Sequence, residues 1–174
     1  NFNLRMSITT SENNFQIETN RLILICCNKE ILEALFKGDE TLAALLHINI
    51  PTKWTEFGEP AFKYTYDKIL TGSGKIEWWA YLPVLKKTKT LLGSCGYKGD
   101  PKNGMIEIGY EVAEAYRGWG LATEMAKALI KNAFNSIYSS SDTSIGHPEE
   151  VLQSDTSETE SNVPRGKKHT FKCR

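Results

Sequence analysis

A glycine-rich turn between a strand-like segment and a helix-like segment is the part of this chain best suited to chemistry. It reads Val112-Ala113-Glu114-Ala115-Tyr116-Arg117-Gly118-Trp119-Gly120-Leu121-Ala122-Thr123. The first turn of a helix exposes about four unpaired backbone N–H groups and about half a positive charge. Glycines at 118 and 120 remove side chains that would keep an anion from those groups, and Arg117 adds a positive charge. The turn therefore predicts a site for a pyrophosphate, held mainly by backbone amides.

A glycine-rich turn has three other interpretations, and one of them stays open for this sequence. A tight strand-to-helix connection that binds no ligand also favours glycines, so the glycines alone do not exclude it. A dinucleotide-binding motif needs G-x-G-x-x-G at the start of a parallel βαβ unit, whereas the spacing here is Arg-Gly-x-Gly-x-Ala. A P-loop needs Gly-Lys-Ser/Thr, which does not follow the turn. The pattern therefore favours pyrophosphate binding in another kind of fold.

The segments on either side of the turn predict an α/β domain with a mostly antiparallel sheet. Residues 78–85, 90–97 and 105–112 read as three consecutive strands. The turn between the last two contains Asn103-Gly104, which is typical of a hairpin and makes neighbouring strands antiparallel. From residue 121 to 134 the apolar residues recur at helical spacing and form one broad face.

The N-terminal part adds one strand and three helices to the predicted domain. Residues 21–26 form an apolar, β-branched run that reads as a strand. Asn28 and Asp39 are placed to cap the first two helices, and Pro60 suits the first turn of the third. Residues 1–16 are polar and are predicted to be a flexible lead.

The composition excludes several classes of function. The chain has 21 Lys and Arg residues and 21 Asp and Glu residues, so its formal net charge is zero. An overall electrostatic attraction to nucleic acid or to anionic lipid is therefore not expected. The cysteines and histidines have no metal-ligand spacing, and no metal is expected. No apolar run approaches membrane length and no signal peptide opens the chain. Buried free thiols and a cytoplasmic location are therefore expected.

The glycine turn carries a resemblance to a known family. Arg117-Gly118-Trp119-Gly120-Leu121-Ala122 matches Q/R-x-x-G-x-G/A, the signature of the GNAT superfamily of N-acetyltransferases, and Tyr116 and Thr123 fit its usual flanks. Glu107-Ile108-Gly109-Tyr110 and Thr19-Asn20-Arg21-Leu22-Ile23-Leu24 resemble the RimJ/RimL-like branch, which acetylates the N-termini of ribosomal proteins. The similarity spans about residues 17–135. It implies a GNAT fold, acetyl-coenzyme A as the acetyl donor and a primary amine as the acceptor.

The resemblance also implies which residues would bind the coenzyme. The strand that holds Val112 would splay from its neighbour and pair with the pantetheine arm, and the Val112 N–H would polarise the thioester carbonyl. The amides of residues 117–122 would hold the pyrophosphate. The predicted coenzyme-binding residues are Val112, Arg117, Gly118, Trp119, Gly120, Leu121, Ala122 and Thr123.

Two glutamates are candidates for the base that deprotonates the acceptor ammonium. Glu107 is the first, because its position matches the Glu found on this strand in similar enzymes. Glu111 projects from the same strand face, four residues further on, and is the alternative. Either could instead be a surface or salt-bridged carboxylate.

Aromatic residues are candidates for the acceptor groove. Trp78, Trp79, Tyr81 and Tyr97 lie on predicted strands and belong either to this groove or to the core. The loop before Pro60, with Trp54 and Phe57, lies where the family forms its substrate pocket. Ser94 is interpreted as an ordinary strand hydroxyl.

The last 36 residues depart from the family pattern. After the acetyltransferase domain at residues 17–138 the family continues with a further strand and helix, whereas residues 139–174 are rich in Ser, Thr, Asp and Glu. This segment is either a genuine low-complexity tail or the product of a single-base frameshift near residues 136–141. A chain ending this way would expose the apolar face of the helix at 121–134 and an unpaired strand edge. We expect low stability and weak or absent catalysis from it.

Three functions agree with these residues. The first is transfer of an acetyl group to a protein N-terminal α-amine. The second is acetylation of a small molecule such as a polyamine or an antibiotic, because the same fold serves many acceptors. The third is a non-catalytic domain that binds acyl-coenzyme A. The sequence does not determine the acceptor or the oligomeric state.

Overall fold

The computed structural model of this chain describes residues 15–140 and 167–172. The predicted flexible lead lies almost entirely outside the described residues, as do most of the low-complexity tail and the proposed frameshift product.

The described residues form one sheet of seven strands with four α-helices, and every strand pairing in it is antiparallel. The strands are β1 (Gln16–Glu18), β2 (Leu22–Cys26), β3 (Ala80–Leu85), β4 (Thr90–Leu91), β5 (Gly93–Tyr97), β6 (Met105–Val112) and β7 (Lys167–Lys172). The helices are α1 (Lys29–Lys37), α2 (Asp39–Leu46), α3 (Glu59–Leu70) and α4 (Leu121–Ser140). The order across the sheet is β1-β2-β3-β5-β6-β7, with β4 beside β3.

The sheet is buried on both faces, which explains the continuous apolar run of β2. Leu22 and Leu24 pack in the core on the α4 side. Ile23 and Ile25 pack in the core that contains residues of α1, α2 and α3. A strand covered on both faces has no polar side, so its sequence does not alternate.

Helix α4 covers one face of the sheet with its apolar side. Leu121, Met125, Leu129 and Ala133 recur every four residues and are fully buried, as expected for one face of a helix. They pack against residues of β2, β3, β5 and β6. The expectation that this face would be exposed is therefore wrong, because the sheet itself buries it.

The edge of β6 is also more protected than the sequence predicts. β7 pairs with β6 from Met105 to Tyr110, although residues 139–174 show no strand pattern. An open strand edge leaves N–H and C=O groups unpaired, and an extended segment can satisfy them. The described part of β7 ends opposite Tyr110, two residues before the end of β6.

The predicted elements agree with the structure except at some boundaries and in the strand predicted at 90–97, which is interrupted at Leu92 and divided into β4 and β5. The Asn28 side chain caps α1 by accepting a hydrogen bond from Ile31 N–H at 2.9 Å. Asp39 is not a cap; it is the first residue of α2, and its carboxylate accepts a hydrogen bond from Trp54 Nε1 at 3.1 Å. The strand predicted at 78–85 begins at Ala80, because Ile76–Trp78 form a 3₁₀ turn.

The predicted hairpin turn before β6 is confirmed. Asn103 and Gly104 have φ of 51° and 70°, the left-handed conformation that a tight hairpin turn requires at both central residues. Lys102 and Met105 flank them and form a backbone bridge. This turn sets the antiparallel return of β6 beside β5.

Candidate active site

The glycine turn places a set of unpaired backbone amides at the N-terminus of α4. Gly118 and Gly120 have φ of 80° and 76°, which glycine adopts at little cost. No described residue accepts a hydrogen bond from the amides of residues 118–123. The positive end of the α4 dipole lies at the same place. The turn can therefore bind an anion through its backbone.

A cavity of about 530 Å³ opens beside this turn. We call it the glycine-turn cavity. Its wall comprises the turn, the end of β6 and part of the loop between α2 and α3. The lining residues are Glu56, Phe57, Tyr110, Glu111, Val112, Tyr116, Arg117, Gly118, Gly120, Leu121, Ala122 and Thr123. Of the predicted coenzyme-binding residues, all except Trp119 line this cavity. Trp119 is in the turn, with a half-exposed side chain packed on Tyr116.

Arg21 holds the turn from outside the cavity. Its Nε donates to Glu124 Oε2 at 2.6 Å, and its Nη1 donates to the Trp119 carbonyl at 2.9 Å. Thr19 also donates to Glu124, from its hydroxyl at 2.6 Å. The residues just before β2 thus fix both the glycine turn and the first turn of α4. Sequence reasoning noted Thr19 and Arg21 only as part of a resemblance and assigned them no role.

These contacts keep Glu124 ionised. Burial by itself raises the pKa of this carboxyl group, but the hydrogen bonds from Thr19 and Arg21 and the charge of Arg21 outweigh it. The pKa of Glu124 therefore lies below its usual value. A negative charge in the first turn of α4 also interacts favourably with the helix dipole.

Arg117 is placed differently from what the sequence suggests. Its Nε donates to the Val112 carbonyl at 2.9 Å, and its guanidinium forms a short ion pair with Glu56. Its backbone N–H donates to the Glu114 carbonyl at 3.2 Å. The guanidinium and the backbone N–H of Arg117 therefore both have partners within the chain. The row of unpaired amides begins at Gly118.

The end of β6 presents the Val112 amide to the open side of the strand. The Glu107 carbonyl accepts a hydrogen bond from the Lys98 N–H, and the Ala113 N–H donates to the Leu92 carbonyl. Lys98 and Leu92 are the two residues that flank β5, so the odd-numbered residues of β6 direct their N–H and C=O groups toward β5. Because these directions alternate along an antiparallel strand, Val112 directs its N–H to the opposite edge. Among the residues that the structure describes, no strand pairs with Val112 on that edge.

A second cavity, of about 590 Å³, lies on the other side of Phe57 and Tyr110. We call it the aromatic cavity. Phe57 and Tyr110 line both cavities, so the two spaces meet there. Burial raises the pKa of Tyr110, which keeps its phenol protonated. Other residues that line the aromatic cavity are Phe62, Tyr64, Trp79, Ser94, Tyr97, Lys98 and Glu107.

The two candidate bases project from one face of β6 but have different partners. Glu107 lines the aromatic cavity and forms an ion pair with Lys98 at 2.6 Å. Glu111 lines the glycine-turn cavity, and only 8% of its surface is exposed. The structure thus places one carboxylate in each cavity.

The Glu111 carboxylate is fully engaged in hydrogen bonds. Oε1 accepts from the Thr55 hydroxyl at 2.5 Å and the Ser94 hydroxyl at 2.9 Å. Oε2 accepts from the Glu56 N–H at 3.0 Å. Glu111 thereby ties the loop that carries Phe57 to β5 and β6. No sequence signal identified Thr55 and Glu56, because a loop 55 residues away cannot be paired with a strand by spacing.

The predicted acceptor-groove aromatics lie partly in the aromatic cavity and partly in the core. Trp79 lines the aromatic cavity, and Trp78 and Tyr81 pack in the core on the α4 side. Tyr97 belongs to both. The Trp79 indole N–H is buried and has no acceptor within the described ranges, so a ligand or water would be needed to satisfy it. Sequence reasoning missed Tyr64 and Lys98, which have no distinguishing pattern.

Metal-binding clusters and membrane-spanning helices are both missing from the described residues. Within 15–140 and 167–172, no three His, Cys, Asp or Glu side chains gather in a way that could hold a metal ion. No helix in these ranges has the length and apolar character to cross a membrane.

A protein-family model and two known proteins match this chain over different shares of its length. The sequence model of the acetyltransferase (GNAT) domain family matches residues 21–155. An uncharacterized N-acetyltransferase of Bacillus subtilis, YjdG, is 31% identical over 122 residues, which are 68% of this chain and 72% of that protein. An uncharacterized N-acetyltransferase of Bacillus licheniformis, p20, is 36% identical over 55 residues, or 31% of each chain.

A solved structure is also similar. It is the structure of a putative ribosomal-protein-serine acetyltransferase from Vibrio cholerae, with a TM-score of 0.46 and 22% identity. The similarity covers 71% of this chain and 69% of that one.

Proposed function

Because this chain belongs to the GNAT acetyltransferase family, we propose that it transfers the acetyl group of acetyl-coenzyme A to a primary amine, the α-amine of a protein N-terminus. The observation that carries the proposal is the row of unpaired amides at residues 118–123, at the positive end of α4. They open onto the same cavity as the Val112 edge. An anionic donor with a long polar arm fits this combination.

The residues present suit the donor at both of its ends. The amides of residues 118–123 would hold the pyrophosphate. The end of β6 that lies beyond β7, at Val112, would pair with an amide of the pantetheine arm. The Val112 N–H would then donate to the thioester oxygen, where negative charge develops during attack. Arg117 would not contact the donor through its Nε, which donates to the Val112 carbonyl and so helps to position Val112.

The acceptor amine would reach the thioester from the aromatic cavity, past Phe57 and Tyr110. It arrives as an ammonium ion and must lose a proton before it attacks. We assign this deprotonation to Glu107, directly or through water, because Glu107 lines that cavity. As the nitrogen bonds to the acetyl carbon, the C–S bond breaks, and the coenzyme A thiolate leaves and takes a proton from solvent. Glu111 remains the alternative, although three hydrogen bonds already hold its carboxylate.

The acceptor could instead be a small molecule, since the aromatic cavity of about 590 Å³ could enclose a small amine. A third possibility is a domain that binds acyl-coenzyme A without catalysis. A cytoplasmic location suits both the protein N-terminal acetyltransferase and the small-molecule acetyltransferase. Cys26, Cys27 and Cys95 are free thiols, which persist in a reducing compartment.

Two measurements test the proposal. Calorimetry with acetyl-coenzyme A should show binding by the full chain and none by Gly120→Glu, which places a carboxylate in the anion site. Release of free coenzyme A thiol should then require a peptide with a free N-terminus, and blocking that N-terminus should stop the release. Absence of binding heat would refute the coenzyme site. Binding without turnover on any amine would favour the non-catalytic domain.

A further inference from the structure

The aromatic cavity has almost no net charge on its wall. Lys98 and Glu107 are the charged residues among those that line it, and they form an ion pair at 2.6 Å. The rest of the wall is dominated by aromatic side chains, including Phe57, Tyr64 and Trp79. The cavity therefore provides one carboxylate, and a lysine already neutralises it.

Polycationic acceptors do not suit such a wall. Each ammonium group that leaves water needs a carboxylate or several hydrogen-bond acceptors in exchange. A polyamine or an aminoglycoside brings several ammonium groups, and the cavity offers a single, paired carboxylate. An acceptor with one ammonium group loses that charge when the reacting nitrogen is deprotonated, so no second ammonium group has to be buried.

An apolar group beside the amine suits the same wall well. Aromatic walls bury apolar surface favourably and pack against a second ring in edge or offset contacts. Tyr64 and Trp79 already make such a contact, with ring centroids 6.0 Å apart at an angle of 72°. A volume of about 590 Å³ accommodates the largest amino-acid side chains.

We infer that the aromatic cavity is a subsite for the first side chain of the acceptor, and that this side chain is bulky and apolar. The inference rests on the proposed function, since the reacting amine must lie where the two cavities meet, at Phe57 and Tyr110. The side chain next to that amine then enters the aromatic cavity. Phenylalanine, leucine and methionine at the first position should be preferred over glycine, aspartate and lysine.

The inference is tested with matched peptides and with a polyamine. Peptides that differ only at the first residue, Phe, Leu, Gly, Asp or Lys, are compared with spermidine by thiol release. We expect kcat/KM for the Phe and Leu peptides to exceed that for the Gly and Asp peptides by about 10- to 100-fold, and spermidine to be the poorest acceptor. Equal rates for all peptides, or a preference for spermidine, would overturn the inference.

Two variants show whether the cavity is responsible. Tyr64 is 58% exposed, so Tyr64→Ala should leave the fold intact and reduce the Phe-to-Gly preference at least about 5-fold. Lys98→Met leaves Glu107 unpaired and should raise the spermidine-to-peptide ratio of kcat/KM about 10-fold or more. Phe15→Ala, an exposed aromatic on the far edge of the sheet, is the control and should change neither ratio.

Calorimetry distinguishes failure of the subsite inference from failure of the proposed function. If the chain binds acetyl-coenzyme A and acetylates amines, but Tyr64→Ala and Lys98→Met leave both ratios unchanged, the subsite is wrong and the proposed function stands. If the chain does not bind acetyl-coenzyme A, the proposed function fails, and the subsite fails with it.

Discussion

Arg21 Nε lies 2.6 Å from Glu124 Oε2 and joins the residue before β2 to the first turn of α4 across 103 positions of sequence. The same guanidinium donates to the carbonyl of Trp119 inside the glycine turn. One side chain thus connects the sheet, the turn and the helix that carries the unpaired amides. The amides of the proposed anion site are therefore held in place by a residue that does not line the glycine-turn cavity.

Removing this link should weaken both the fold and the coenzyme site. For Arg21→Ala we expect a loss of about 1–2 kcal/mol in the free energy of unfolding, since a partly buried carboxylate loses charged hydrogen bonds. The affinity for acetyl-coenzyme A should fall about 10-fold as the turn becomes mobile. Chemical denaturation and calorimetry measure the two effects. Lys29→Ala, which removes the exposed Lys29–Glu33 pair, is the control and should change stability by less than about 0.5 kcal/mol.

The link should also depend on pH in a defined direction. The pKa of Glu124 is lower in the folded chain than its ordinary value of 4.5. Its contribution to stability is therefore complete above pH 4.5 and is lost as the pH falls through the lowered value. The difference in unfolding free energy between the native chain and Glu124→Gln should be constant from pH 7 to 5 and shrink below pH 4. A difference that grows toward low pH would contradict this assignment.

Alanine at Gly120 should be unfavourable because of the backbone conformation at this position. A Cβ at Gly120 would meet only Arg21 Nη2, at 3.7 Å, so there is space for it. The φ of 76° instead costs an alanine about 1–2 kcal/mol. Gly120→Ala should lose this stability and bind acetyl-coenzyme A about 10-fold or more weakly as the amides shift. Gly72→Ala, at φ 64° far from the site, should lose similar stability with unchanged affinity.

Substitution of Glu107 and of Glu111 should affect different kinetic parameters, kcat and KM respectively. Glu107→Gln removes the assigned base and should lower kcat about 100-fold or more, with acetyl-coenzyme A binding and melting temperature little changed. Glu111→Gln places an amide NH₂ among three donors. It should release the loop that carries Phe57, lower the melting temperature and raise KM. A loss of kcat confined to Glu111→Gln would transfer the role of base to Glu111.

The thiols of the sheet should be inert in the folded chain. Burial raises the pKa of Cys26 to about 12 and raises the pKa values of Cys27 and Cys95 as well. Because the thiolate is the reactive form, these three residues should resist iodoacetamide at pH 8 and react fully in denaturant. Peptide mapping by mass spectrometry measures each site separately. Rapid native labelling at any of the three would show that the sheet opens locally.

Local patterns predicted most of the elements. The apolar spacing of α4, the Asn28 cap and the Asn103-Gly104 hairpin all appear as expected, because each depends on residues within a few positions. Boundaries were less predictable. The 3₁₀ turn at Ile76–Trp78 and the short strand β1 have no strong local pattern, and β1 is stabilised mainly by pairing with β2.

The sequence by itself determined the glycine turn and its position at the start of a helix, since the φ values at Gly118 and Gly120 and the free amides of a first helical turn are local properties. Only the tertiary structure decided what surrounds that turn. Folding brings Arg21 to Glu124 and Thr55 to Glu111, across separations that no periodicity encodes. It also pairs Lys98 with Glu107 and so sets the net charge on the wall of the aromatic cavity. These contacts depend on how strands are ordered in the sheet, which is a property of the whole chain.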